Sequence, residues 1–252
     1  MIILLSPAKS LDFETDLENR KASESRFPDK TEKLVSAASN LTKKRLKDIM
    51  PVSDKLIDLN YGRYKNFHEQ PRRQAIYAFS GDVYTGFEAR SLDEDAIDFA
   101  QDHVRILSGL YGLLRPLDQI RPYRLEMGTR WAPRYKSLVD FWGDDIAAKL
   151  NEDLNEAGSE TIINLASQEY FASVQKGMKK LDARIVDVDF RQDGPDGPRF
   201  ISFAAKRARG MMARYICEHR LNDVESLKSF DSDGYAFDAE SSEENLLRFI
   251  RS

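Results

Sequence analysis

The chain has 252 residues, 38 lysines and arginines against 42 aspartates and glutamates, and a formal net charge of −4. That length suits one large domain or two small ones, and a 41% hydrophobic content fits a globular chain rather than a disordered one. The overall charge neither recruits nor excludes nucleic acid, so local clustering has to decide. A lone cysteine, Cys217, rules out an intramolecular disulfide and fits a reducing compartment. The apolar run at residues 2–5 is too short for a leader or a membrane span, so the expected location is the cytoplasm and no membrane partner is expected.

In chain order, residues 1–5 read as a buried strand ended by Ser6 and Pro7, followed by a loop carrying Lys9. Residues 14–29 read as an exposed excursion and residues 31–39 as a helix. Between residues 42 and 67, Leu46, Ile49 and Met50 share one helical face, Pro51 ends that helix, and Ser53 is placed to cap a second one. A helix-hairpin-helix shape is therefore predicted. Its cations Lys43, Lys44, Lys47 and Lys55, with Ser53, are candidate phosphate contacts of the kind that bind without reading bases. An ordinary helix pair accounts for the same pattern.

Residues 74–79 read as a strand with Asp82 at its exit, and Ser91 to Glu94 as a capping box opening a helix. Residues 104–107 read as a strand. It feeds LSGLYGLLRPLDQIRPYRLEMG at 107–128, whose glycines match neither nucleotide-loop fingerprint. Ser137 is expected to start a helix running unbroken to Gly158. Residues 161–165 are predicted as a strand, and residues 184–190 and 199–204 as a hairpin around a Gly-Pro-rich turn. A basic helix is predicted over 206–220, with Gly210 and Ala213 set among Lys206, Arg207, Arg209 and Arg214 so that a bulky anion approaches closely. A short helix, an aromatic loop and a last helical turn complete the tail. The sum is an α/β fold: a single domain over residues 1–252, with a mixed sheet flanked by helices.

Strand ends carry polar groups, and carboxyl ends of strands line the binding crevice in such sheets. Lys9, Arg115 and Arg124 are candidates to hold an anion there, with Asp82, Glu126 or Glu169 as acid or base. Structural salt bridging accounts for them equally. No metal-ligand spacing and no cofactor fingerprint is present, so no metal or cofactor is expected, and no protein partner is evident.

Seven segments then resemble one family: SPAKSLD (6–12), SDKL with Asn60 and Arg63, FSGDVYTG (79–86), SGLYGLLRPLD with PYRLEMG (108–128), FWG (141–143), NLASQEYF (164–171) and SFAAKRARGMMARYI (202–216). Together they resemble the bacterial YaaA family over nearly the whole chain. The resemblance implies a role in surviving peroxide stress and in lowering unincorporated iron. It also implies a fold unlike the common superfolds, with a positively charged cleft, a helix-hairpin-helix element, and binding to double- and single-stranded DNA. An enzyme acting on an anionic or phosphorylated small molecule or nucleotide is the alternative.

Overall fold

A computed structural model of the chain describes residues 1–16 and 21–252. The middle of the predicted excursion, residues 17–20, lies outside the described residues. In chain order the elements are β1 (Ile2–Leu5), β2 (Ser10–Leu11), α1 (Pro28–Ser39), α2 (Lys43–Ile49), α3 (Asp54–Lys65), β3 (Arg73–Gln74), α4 (Ala75–Ala78) and β4 (Phe79–Ser80). There follow α5 (Asp82–Phe87), α6 (Glu94–His103), β5 (Val104–Ser108), β6 (Gly112–Leu114), β7 (Gln119–Ile120), α7 (Leu138–Trp142) and α8 (Asp145–Glu156). The chain ends with β8 (Thr161–Asn164), α9 (Gln168–Lys176), β9 (Arg184–Gln192), α10 (Ser202–His219), β10 (Tyr235–Phe237) and β11 (Leu246–Arg251).

The core is a seven-stranded sheet in the order β10-β11-β9-β8-β1-β5-β6. Its five inner strands are parallel, and the two edges, β10 and β6, are antiparallel. All four residues of β1 are buried, as expected for a strand covered on both faces. The sheet is mixed, as predicted, but from a different source. Residues 199–204 form no strand: Gln192 meets Arg199 in a single bridge, and α10 begins at Ser202. The antiparallel members are the edges instead.

Four further expectations are corrected. Residues 75–78 form a short helix, not a strand. The run AIYA is apolar throughout, so it fits a wholly buried helical turn as well as a buried strand. Asp93, not Ser91, caps α6: it accepts from the Ala96 N–H at 2.7 Å, and Ser91 Oγ donates to the Glu88 carbonyl at 3.0 Å. Ser137 does start a helix, accepting from the Asp140 N–H at 3.1 Å. That helix stops at Trp142 because Gly143 takes φ +54°, and α8 starts afresh. The tail ends in β11, which lies parallel to β9 inside the sheet, where a helical turn is predicted.

Two helices stand where residues 42–67 predict them. The Thr42 hydroxyl caps α2 by accepting from the Arg45 N–H at 3.2 Å, and residues 50–53 link it to α3. This pair buries its own small core of Leu46, Met50, Ile57, Tyr64 and Ala38, with Trp131 packed against it. It stands beside the sheet's core rather than inside it. Among the described residues no helix is long and apolar enough to cross a membrane.

Candidate functional site

A cleft of about 490 Å³ separates the α2–α3 pair from the main body. One wall is Arg45, Asp48 and Ile49 of α2 with the link Met50, Pro51 and Val52. The other is Lys9, which follows β1, and the segment Arg124, Glu126, Gly128, Thr129 and Arg130. At its inner end the cleft narrows between residues 7–9, residues 123–126 and Tyr170.

Tyrosines hold this inner wall in place. Tyr64 of α3 donates to the Arg124 carbonyl at 2.8 Å, and Tyr84 of α5 donates to the Ser6 carbonyl at 3.0 Å. Tyr123 and Ser108 share a hydrogen bond of 2.7 Å at the end of β5. The buried Tyr64, Tyr84, Tyr123 and Tyr170 hydroxyls are all pushed up from the ordinary phenol range, first by desolvation, so they stay neutral donors. Ser6 accepts the Ser167 N–H at 2.9 Å and donates to the Ser167 hydroxyl at 3.2 Å, closing the gap between the ends of β1 and β8.

The charged residues converge on Glu126. Arg124 forks onto Glu126 Oε1 with Nε at 2.9 Å and Nη2 at 2.7 Å, and Lys9 Nζ lies 4.0 Å from the same oxygen. The side chains of Arg124 and Glu126 are only 16% and 17% exposed, whereas that of Lys9 is 64% exposed. Glu169 Oε1 accepts from the Gly128 N–H at 3.1 Å, tying α9 to the same wall. Two cations thus face one carboxylate, a set that attracts an anion and offers it both charge and hydrogen bonds.

Four of the six predicted cleft residues therefore meet: Lys9, Arg124, Glu126 and Glu169. Two do not. The Arg115 guanidinium grips the buried Asp118 at 2.9 Å and donates to the Glu24 carbonyl, holding a turn instead of an anion. Asp82 is an exposed residue at the start of α5, outside the cleft lining.

The predicted basic residues also divide. Lys43 pairs with Asp58 at 2.7 Å and Lys47 with Asp54, so both stitch α2 to α3. Lys44, Ser53 and Lys55 are exposed, as are Lys206 and Arg207. Arg214 clamps α10 to the end of α5, donating to the Phe87 and Glu88 carbonyls and to Ser91 Oγ. Arg209 is mostly buried, and desolvation lowers its pKa against the pull of Asp189 and Asp187.

Gly210 and Ala213 do not admit an anion: both are buried. A Cβ on Gly210 would lie 1.8 Å from the Val83 carbonyl oxygen, and one on Gly86 2.1 Å from that of Arg207. The small residues admit helix α5.

Sequence patterns missed Arg45 and Arg130. Arg45 lies within the basic run at 43–47 and Arg130 outside any such run, so only the cleft reveals what they share. Among the described residues no group of three or more His, Cys, Asp or Glu side chains is arranged to hold a metal ion.

The architecture is thus an α/β protein with a charged crevice at the carboxyl ends of parallel strands. A family model described as peroxide stress protein YaaA matches residues 1–241. The chain is 56% identical over 253 residues to a UPF0246 protein of Rhizorhabdus wittichii, with both chains covered completely. It is 48% identical to a UPF0246 protein of Alteromonas mediterranea and 46% identical to one of Idiomarina loihiensis. Each alignment spans 257 residues, all of this chain and 98% and 99% of the relatives. The chain belongs to the peroxide stress protein YaaA family.

Proposed function

We propose that the chain is a sequence-independent DNA-binding protein of the peroxide-stress response, acting in the cytoplasm on double- and single-stranded DNA. The observation that supports this reading is the cleft itself. Arg45 from one wall, and Lys9, Arg124 and Arg130 from the other, line a single groove beside a two-helix element. Cations in such an arrangement neutralise phosphates without touching base edges. Lys44, Lys55 and Ser53 on the exposed side of α2 and α3 extend the contact, and Lys206 and Arg207 offer a second patch.

The link between α2 and α3 grips by side chains more than by backbone. Pro51 has no N–H, and the Val52 N–H donates to the Met50 carbonyl at 2.8 Å. A helix-hairpin-helix contact here therefore depends on Arg45, Lys44, Ser53 and Lys55. Occupied backbone phosphates are closed to iron cations. Protection from iron-dependent damage then needs no iron site in the protein.

The test is fluorescence anisotropy of labelled duplexes of unrelated sequence, measured across salt. The double variant Arg45→Glu, Arg130→Glu is expected to weaken every duplex alike and to flatten the salt slope by about 2. Unchanged affinity and slope would remove the cleft from DNA binding.

A further inference from the structure

The strand order adds a feature that DNA binding does not use. β1 lies between β5 and β8. The chain leaves β1 and re-enters the sheet at β5 on one side, then returns at β8 on the other and continues outward to β9. The order therefore reverses between β1 and β8. In open sheets of parallel strands, the crevice outside the carboxyl ends at such a reversal is where small ligands bind, because the diverging connections leave a gap there.

In this chain the gap carries a built set of groups. Ser6 and Ser167 close its base through their mutual hydrogen bonds. Lys9 stands three residues beyond Ser6, and Glu169 two beyond Ser167. Arg124 and Glu126 line the gap, with Glu126 Oε1 bonded by Arg124 and Lys9 Nζ 4.0 Å away. The wall is pinned by tyrosine hydroxyls before any ligand arrives, so little ordering cost remains. The inner end itself encloses only about 10 Å³ and shares Lys9, Arg124 and Glu126 with the 490 Å³ cleft, on whose far wall Ile49, Met50 and Val52 offer apolar surface beside Arg45 and Asp48. The cleft's volume lies within the range of pockets for small organic ligands.

We propose that the mouth of this inner end, where Lys9 and Arg124 line the 490 Å³ cleft, is a specific site for a nucleoside monophosphate. The phosphate lies against Lys9 and Arg124, where a compact dianion meets two cations sharing one carboxylate. The nucleoside body lies outward along Ile49, Met50 and Val52. Glu126, partly released from Arg124 by the incoming phosphate, accepts a hydroxyl or amino donor of the ligand. The site uses the same cleft as the proposed DNA grip but does not depend on it.

The experiment is isothermal titration of the full chain with adenosine 5′-monophosphate, adenosine, ribose 5-phosphate and inorganic phosphate, alongside duplex binding on the same samples. Saturable 1:1 binding of the monophosphate is expected, at least tenfold tighter than any of the other three probes. Lys9→Ala, at an exposed side chain, is expected to weaken it tenfold or more, and Arg124→Lys to weaken it with the fold intact by circular dichroism. The proposal is overturned if no probe saturates, if ribose 5-phosphate or inorganic phosphate binds as tightly as the nucleotide, or if Lys9→Ala and Arg124→Lys leave its affinity unchanged. Nucleotide binding without duplex binding would sustain this site and defeat the DNA reading. Duplex binding without nucleotide binding would do the reverse.

Discussion

At the scale of single residues, Asp153 shows how partners decide a charge's role. Burial alone would raise its carboxyl, but hydrogen bonds from Arg105 and Arg26 outweigh that and hold it below the ordinary 3.8. Arg105 Nε and Nη2 reach it at 2.8 and 2.9 Å, so α8, β5 and the approach to α1 meet at one carboxylate. A depressed folded pKa means the contribution is complete above the unfolded value and is lost as pH falls through the folded one. Urea unfolding should therefore show stability falling below about pH 4. Asp153→Asn should lose about 3–5 kcal/mol at neutral pH, because it strands two buried guanidinium groups, and should flatten that acid limb. Cys217 is the opposite case: fully buried, its thiol is pushed up by desolvation. A thiol-reactive probe is expected to label it only after unfolding, at the rate the protein opens.

At the scale of elements, the α5–α10 crossing carries the sharpest difference between pattern and structure. On α10 a glycine among arginines suggests room for an anion, yet the helix that fits there is α5. Both Gly86 and Gly210 sit at backbone contact. Gly210→Ala should force α5 and α10 apart and cost about 1–3 kcal/mol, read as a lowered Tm by calorimetry. Arg214→Ala should also lower the Tm, since it removes the donors to Phe87 and Glu88, while leaving DNA affinity unchanged. Helical periodicity marks which residues share a face, but not whether solvent or another helix covers it. For the same reason, the charges on this helix did not reveal which cations are free.

At the scale of the whole molecule, the last strand decides the sheet. β11 lies between β9 and β10, and its Phe249 packs on Phe190, Phe230 and Phe237 with ring centroids 5.6–5.8 Å apart. The family match ends at residue 241, before this strand, yet the strand is internal to the fold. Phe249→Ala should cost about 3–5 kcal/mol in chemical unfolding, comparable to an internal core residue. The cleft depends on the same large-scale arrangement. Arg45 and Arg130 are 85 positions apart in the chain and share a wall-to-wall groove only because α2 and α3 stand on a separate small core.

Residue order alone determined the family, through seven motifs in sequence, and the elements whose pattern is local. The fully apolar β1, the Pro51 break between two helices, and the mixed α/β character all follow from short-range rules. Of the cleft, Lys9 and Glu169 were legible because polar groups just past buried strands point to a crevice, and Arg124 and Glu126 because they stand together in the charged stretch at 107–128. Tertiary structure decided the rest: the strand order and its reversal beside β1, the helical turn at 75–78, and the fate of each arginine. The physical reason is common to all three. A short apolar run is buried equally well as helix or strand, and a charge is free or spent according to the partner that folding brings to it. Asp118 holds Arg115, α5 holds Arg214, Asp48 stands 3.8 Å from Arg45, and Arg130 is left exposed at the cleft.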